Sequence, residues 1–382
     1  NGSISEGSPE VGNTKILTQY DDLFSLAETY SYKENLGYIQ TGISNISPVV
    51  RTLQDRLDDR VSGRAFGLTG DPGQNATVRL QQAIDQLFLN VDKNQVKSRV
   101  TLELEPGVYA IDATIYIPPS ASIVGAGNGK TIIRQTADFP IFQTVNGTST
   151  PNSPADISTS DIVNQPQNIK IANLTLENDF SNKALICDCC KDSIFDNIHF
   201  KGPWTMGDVI PASYAAGIGV EINNYGGSVI SSNLKFTQCI WSGWYFGIMS
   251  NWDTLKLSFN QCDFIDLGYG ITFGPDMLLN ADPTLGKSRG PSVCSIRNCN
   301  FENIARHAIW IDKGKYNTIE SNYFKEVGNE GGAENDPAYS VCNILTPTNQ
   351  LTNNLFNRTT ELGTNSDNFE SPYLPEVDGL AD

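Results

Sequence analysis

The sequence predicts an all-β chain coiled into a single-stranded parallel β-helix. Three observations predict it: one short phrase recurs seven times, its copies keep a basic period of 23 to 24 residues, and its columns alternate apolar and polar types. The copies are Ile171-Ala-Asn-Leu-Thr-Leu176, Phe195-Asp-Asn-Ile-His-Phe200, Phe236-Thr-Gln-Cys-Ile-Trp241, Phe259-Asn-Gln-Cys-Asp-Phe264, Ile296-Arg-Asn-Cys-Asn-Phe301, Ile319-Glu-Ser-Asn-Tyr-Phe324 and Leu351-Thr-Asn-Asn-Leu-Phe356. Their final residues are separated by 24, 41, 23, 37, 23 and 32 positions, so insertions interrupt the period. A second phrase follows most copies, as in Gly217-Ile-Gly-Val-Glu-Ile222, Gly247-Ile-Met249, Gly270-Ile-Thr-Phe273 and Ala308-Ile-Trp-Ile311. Runs this short and this alternating are strands. A coil holding two or three of them cannot bury its apolar side chains alone, whereas stacked coils can. The third column reads Asn173, Asn197, Gln238, Gln261, Asn298, Ser321 and Asn353, which predicts a hydrogen-bonded ladder at an inward turn.

At 382 residues the chain is long enough for one extended domain plus an appendage. Lys and Arg number 26 against 43 Asp and Glu, a net charge of −17. That balance argues against nucleic acid as a partner and suits a neutral or cationic polymer; it serves solubility equally well. No apolar run approaches the roughly 20 residues that cross a bilayer, so no membrane span is expected. The chain begins at Asn1, which leaves open a leader or a larger N-terminal part. Of eight cysteines, Cys239, Cys262 and Cys299 share one column of the phrase, and Cys187, Cys189, Cys190, Cys294 and Cys342 lie in or beside strands. Without paired ligand spacings, and with His199 and His307 as the sole histidines, small buried thiols are the expectation and no metal site is assigned. Reduced thiols favour assembly in a reducing compartment.

Taken in order, residues 1–20 form a Gly/Ser/Glu-rich flexible arm. Leu36, Ile39, Ile43, Ile46, Val50, Leu53 and Leu57 then repeat at alternating spacings of 3 and 4, a heptad seam. Pro48 interrupts it, although Ser47-Pro48 suits the start of a new helix. A helical oligomerisation stem over 21–62, joining three chains, is the reading taken; a single helix packed on its own domain is the alternative. Arg51-Thr-Leu-Gln-Asp-Arg-Leu-Asp-Asp-Arg-Val-Ser-Gly-Arg-Ala-Phe-Gly-Leu-Thr-Gly-Asp71, followed by the amphipathic segment from Ala76 to Phe88, resembles the stem-to-domain junction of bacteriophage tailspikes and tail fibres that carry a pectate-lyase-superfamily domain. The resemblance continues through Val100-Thr-Leu-Glu-Leu-Glu-Pro-Gly-Val-Tyr-Ala-Ile111, Ile115-Tyr-Ile-Pro118 and Ser122-Ile-Val-Gly-Ala-Gly127 to Thr131-Ile-Ile133. It implies a right-handed helix occupying 63–356, with a capping α-helix whose Leu80, Ala83, Ile84, Leu87 and Phe88 cover the first coil. Gly125-Ala-Gly127 has neither the third glycine nor the Lys-Ser/Thr of a phosphate loop. Residues 146–165 read as a loop, and 357–382 as an acidic tail.

Function on such a scaffold lives in a site, and three long insertions point to one. Lys201 to Ala216 and Lys325 to Ser340 leave the same edge, in the second and sixth coils, and Phe273 to Pro291 leaves the following strand in the fourth. Walls four coils apart enclose a groove about 19 Å long at the usual strand spacing. Trp204, Tyr214, Tyr245 and Tyr269 are candidate platforms for sugar rings, with Arg306 and His307 nearby; Trp244 shares a column with Leu267, Ile304 and Val327 and belongs to the core. Asp266 and Glu326 share a column two coils apart, about 9.6 Å between backbones, close to the ~6.5–9.5 Å between the acid and base of inverting glycosidases. Glu302 lies one residue off that column in the coil between them.

The resemblance implies a virion tail protein, assembled in the host cytoplasm as a homotrimer, which binds a bacterial surface polysaccharide, joins other tail proteins through its N-terminal region, and by the family's habit depolymerises the glycan. Hydrolysis and elimination both stay open. A lyase would take Arg306 or His307 as its base and Ca²⁺ as its cofactor, with Asp208, Asp276, Asp282, Glu330, Glu334 and Asp336 as the acids in reach; a hydrolase would need no cofactor. A non-catalytic structural or adhesive virion component and a secreted cellular polysaccharide lyase or hydrolase are the alternatives.

Overall fold

The structure is a computed structural model and describes residues 59–88, 100–147, 162–180, 182–206, 217–223, 229–250, 254–274, 290–328, 341–344 and 348–357. The chain divides into two compact units, Asn1–Val61 with Lys93–Thr101, and Ser62–Asp92 with Leu102–Asp382. The N-terminal arm, most of the stem with its heptad seam, and the acidic tail lie outside the described residues.

In the second unit parallel strands stack into three ladders, forming a right-handed β-helix. The first joins Leu102, Ile123, Ile171, Phe195, Phe236, Phe259, Ile296, Ile319 and Leu351 rung by rung. The second joins Tyr109, Ile133, Leu176, Phe200, Trp241, Phe264, Phe301, Phe324 and Phe356. The first and last columns of the repeated phrase are therefore two walls of one core. The third ladder, built from the second phrase, runs through Ile115, Phe142, Leu185, Val220, Ile248, Ile271, Ile309 and Cys342. Inside, aromatic rings stack at the strand spacing: Trp241 on Phe264 and Phe264 on Phe301, each 4.7 Å apart and nearly parallel. Trp244 is fully buried beside them, as expected.

Each corner between ladders turns through a left-handed residue. The third column of the phrase occupies the first corner, with φ between 49° and 58° in all seven copies. Asn tolerates this conformation better than most residues, and that explains its abundance there. These side chains do not point inward: Gln238, Gln261, Asn298, Ser321 and Asn353 are exposed. The inward ladder is the next column, Leu174, Ile198, Cys239, Cys262, Cys299 and Asn322, all buried. Asn322 Nδ2 donates to the Ile296 carbonyl at 3.0 Å, and Asn322 Oδ1 accepts from the Cys299 N–H at 2.9 Å. The thiols do the same work more weakly, Cys239 Sγ donating to the Phe195 carbonyl and Cys262 Sγ to that of Phe236, both at 3.4 Å. All eight cysteines are free and buried, in keeping with the thiol reading. The second corner uses Gly243, Asp266, Asn303 and Glu326, and the third uses Asn168, Asp192, Asn233, Lys256, Val293, Tyr316 and Thr348.

Helix α1 (Thr77–Phe88) closes the first coil, burying Leu80, Ala83, Ile84 and Phe88, with Leu87 half-buried. Gln81 exchanges two hydrogen bonds with the backbone of Tyr116, and Asn75 Oδ1 accepts from the Thr77 N–H at the helix start. The lid thus satisfies part of a strand edge that would otherwise invite pairing with another chain.

Gly270 shows how tightly the coils approach. A Cβ there would lie 2.3 Å from the Ala308 carbonyl oxygen and 3.1 Å from the Phe301 ring. Gly270→Ala is expected to cost about 1–3 kcal/mol by overpacking, read as a lowered melting temperature. An unchanged melt would mean that the coils can separate at no cost.

Candidate functional site

The described chain stops at Met206 and Gly328 beyond the second ladder and at Gly274 at the end of the third, so the described ends of all three insertions lie at the edges of the third ladder. The outer face of the second ladder, by contrast, is laced by ion pairs: Arg134 and Lys201 on Glu177, and Lys325 on Glu302. His199 Nε2 lies 2.7 Å from Ser242 Oγ on that face, and burial pushes this imidazole down to about 4.

The base of the first insertion is pulled onto its neighbour by a pair of glycines. Gly202 N–H donates to the Ser242 carbonyl and Trp204 N–H to that of Gly243, both at 2.8 Å. A Cβ on Gly202 would sit 2.2 Å from the Gly243 oxygen, which only the bare backbone allows. Trp204 is thereby laid edge-on against Tyr245, with ring centroids 5.8 Å apart.

Trp204, Ile218, Tyr245, Phe246, Met249, Tyr269 and Ala305 form one buried cluster, with Met206 and Trp310 packed against it. This corrects the expectation of open sugar platforms: Trp204 is 7% exposed, Tyr245 1% and Tyr269 2%. Each ring gains more by packing on its neighbours than by facing water. His307, also expected at the surface, is 2% exposed, its ring 5.8 Å from that of Tyr269 and 5.7 Å from that of Trp310. Arg306 Nη1 donates to the Tyr269 hydroxyl at 3.2 Å. Tyr214 lies outside the described residues, as do Asp208, Asp276, Asp282, Glu330, Glu334 and Asp336. Two polar atoms of the cluster stand out: the indole nitrogens of Trp204 and Trp310 are buried and have no hydrogen-bond partner among the described residues.

Asp266 and Glu326 both lie on the second corner in the left-handed conformation. Asn303 occupies the coil between them, and its amide donates to Asp266 Oδ1 at 2.5 Å. Glu302 belongs to the neighbouring face, opposite Lys325 in register, and the hydrogen bond from that lysine holds its carboxyl below the usual range.

A second pair of carboxylates escaped the sequence reading. On the third ladder Glu221 stands in register with Ile186 on one side and Met249 on the other, so it borders the aromatic cluster directly. Asp188 pairs with Asn223 on the same two strands. Lys183 Nζ forms an ion pair with Glu221 Oε2. Asp188 is 3% exposed; its Oδ2 lies 3.4 Å from Gln143 Nε2, and its Oδ1 has no hydrogen-bond partner among the described residues. Burial, and then the charge of Glu221, push Asp188 up to about 6. Among the described residues no group of three metal-ligating side chains occurs, and no helix is long and apolar enough to cross a membrane.

Three parallel ladders capped by a helix define a pectate-lyase-like β-helix. The chain belongs to the rhamnogalacturonase A/epimerase, pectate lyase-like family, whose pattern matches residues 61–274. It is 32% identical over 139 residues to a glucan 1,3-beta-glucosidase of Cochliobolus carbonum; that stretch is 34% of this chain and 16% of that protein. Among solved structures it resembles PfbA, a surface adhesin of Streptococcus pneumoniae, with a TM-score of 0.54 at 12% identity over 78% of this chain and 72% of that one. It also resembles the gp42 tailspike of Acinetobacter phage vb_AbaP_AS12, with a TM-score of 0.50 at 12% identity over 78% and 51%. ORF18 of Geobacillus virus E2 matches at 16% identity and a TM-score of 0.48, over 80% of this chain and 63% of that chain. The likenesses to PfbA and to the gp42 tailspike are likenesses of fold.

Proposed function

We propose that this chain is the glycan-engaging β-helix of a phage tailspike-type appendage, binding a bacterial surface polysaccharide along the outer face of its third ladder. One observation carries the reading: the face at whose edges the described ends of all three insertions lie holds an aromatic cluster with two buried indole N–H groups unpartnered among the described residues. An unmade hydrogen bond in a dry site costs about 1–3 kcal/mol, and a sugar hydroxyl supplies the missing acceptor. The shared fold with a tailspike and an adhesin, and the glucosidase named among the relatives, support the same reading. Asp266 and Glu326 border the groove from the corner, where carboxylates accept hydrogen bonds from ring hydroxyls. In this reading the segment 21–62 joins three chains, and the region before it meets other tail proteins.

The test is retention of the protein on immobilised bacterial surface polysaccharides. Trp204→Phe and Trp310→Phe keep a ring and remove a donor. Each is expected to weaken binding about 3- to 10-fold, the worth of one neutral hydrogen bond, with the melting temperature held. Affinity unchanged in both variants, or no retention on any polysaccharide, would sink the reading.

A further inference from the structure

We infer that Asp188 and Glu221 are the acid and base of a glycoside-hydrolysing site on the third ladder. Asp188 gives its proton to the leaving glycosidic oxygen, and Glu221 takes one from the attacking water. The inference rests on the polysaccharide reading for its substrate class, and it concerns residues that the corner carboxylates do not include.

Geometry is the first support. Asp188 and Glu221 lie on adjacent parallel strands, one rung apart and two residues along. At a strand spacing of about 4.8 Å and a rise of about 3.3 Å per residue, their backbones stand roughly 8 Å apart. Both side chains leave the same face of their strands, so the two carboxyls flank one patch of it. Lys183 pairs with Glu221 Oε2 and so fixes where that carboxylate sits on the face.

A second, independent observation points to a ligand. Asp188 Oδ1 lacks a donor and Trp204 Nε1 lacks an acceptor among the described residues, and the rung from Glu221 to Met249 joins the two parts of the surface. A contiguous surface missing both a donor and an acceptor fits a polyhydroxy chain better than an ion or an apolar ligand.

The chemistry balances without a co-reactant other than water. The anomeric C–O bond breaks as its oxygen receives the Asp188 proton. A new C–O bond forms from water, whose proton passes to Glu221. Asp188 is left as carboxylate and Glu221 as acid, and exchange of one proton with solvent restores both. Asp188 faces Glu221 from the next strand, Lys183 from the loop before its own, and the amides of Gln143 and Asn223. With its proton affinity pushed up to about 6, Asp188 is a competent acid below that pH, and cleavage falls as pH rises through it.

The experiment incubates the full chain with a panel of bacterial surface polysaccharides and measures retention, reducing-end release and absorbance at 235 nm. At least one retained polysaccharide is expected to release reducing ends without a rise at 235 nm. Asp188→Asn and Glu221→Gln are each expected to lower the rate about 100-fold or more, with retention on the polysaccharide still measurable. Asp188→Asn is isosteric and keeps the fold, so it remains decisive should Glu221→Gln unfold through the orphaned Lys183. Retention without reducing ends would overturn the inference and leave the binding reading intact, whereas no retention at all would remove both. A rise at 235 nm, less than a tenfold loss in Asp188→Asn, or cleavage lost only in the Asp266→Asn, Glu326→Gln double variant would also overturn it.

Discussion

Replacing Asn322 by Leu is expected to cost about 3–5 kcal/mol, although the two side chains are of similar size and the position lies wholly inside the coil. The reason is the number of groups that one amide satisfies. Asn322 Nδ2 donates to the Ile296 carbonyl, Oδ1 accepts from the Cys299 N–H, and the amide meets Asn354 Oδ1 at 3.0 Å. Leu would leave a buried backbone donor and a buried backbone acceptor unmade, at about 1–3 kcal/mol each, while Asn354 Oδ1 would keep only the Asn322 N–H. The neighbouring column supplies the control. Gln261 holds the same left-handed corner but is exposed, so Gln261→Ala is expected to stay within about 0.5 kcal/mol of the parent. Urea unfolding of the three proteins separates the cases, and equal midpoints for Asn322→Leu and Gln261→Ala would mean that the inward column bears no load. Loss of the terminal coils ahead of the rest is allowed in a stacked solenoid, and hydrogen exchange at Cys299 would show it.

The corner also shows where sequence stops being sufficient. The period, the coil walls and the lid helix are legible, because an inward ring repeated every coil has one place to go and its column keeps its character from Phe200 to Phe356. The corner is not. Asn is favoured both for a left-handed backbone and for an inward ladder, so the uniform third column drew the assignment that belongs to the fourth. That fourth column changes from Leu174 and Ile198 through three cysteines to Asn322 and Asn354, and a column without constant chemistry is hard to see as one. The content of the candidate site was not legible. Burial depends on what folds over a residue: Trp204, Tyr245 and His307 read as surface groups and are packed away. Asp188 and Glu221 are 33 residues apart across an insertion; only the register of two strands makes them neighbours, and a lone Glu in an apolar strand resembles an ordinary solvent-facing position.

Removing the Asp188 carboxylate is expected to stabilise the protein at neutral pH while abolishing any cleavage. An unfolded aspartate loses its proton near 3.9, whereas Asp188 in the fold holds it to about 6. Between those values the folded state binds more protons than the unfolded one, so stability declines as pH rises through the window. At about 1.4 kcal/mol per unit, the two-unit gap amounts to roughly 3 kcal/mol of stability, fully present below pH 4 and fully lost above pH 7. Asp188→Asn carries no titrating group and should lack this decline. Denaturant unfolding at pH 4.5 and pH 8 is therefore expected to show the variant gaining about 2 kcal/mol on the parent between the two. A parent whose stability relative to the variant is flat across that range would show Asp188 to be well solvated in the fold. A group that destabilises the fold at neutral pH, with one oxygen unpaired among the described residues, is not kept for its packing. A buried carboxyl kept at that cost is explained by a site that needs its proton, and the paired gain in stability and loss of cleavage would tie the two together.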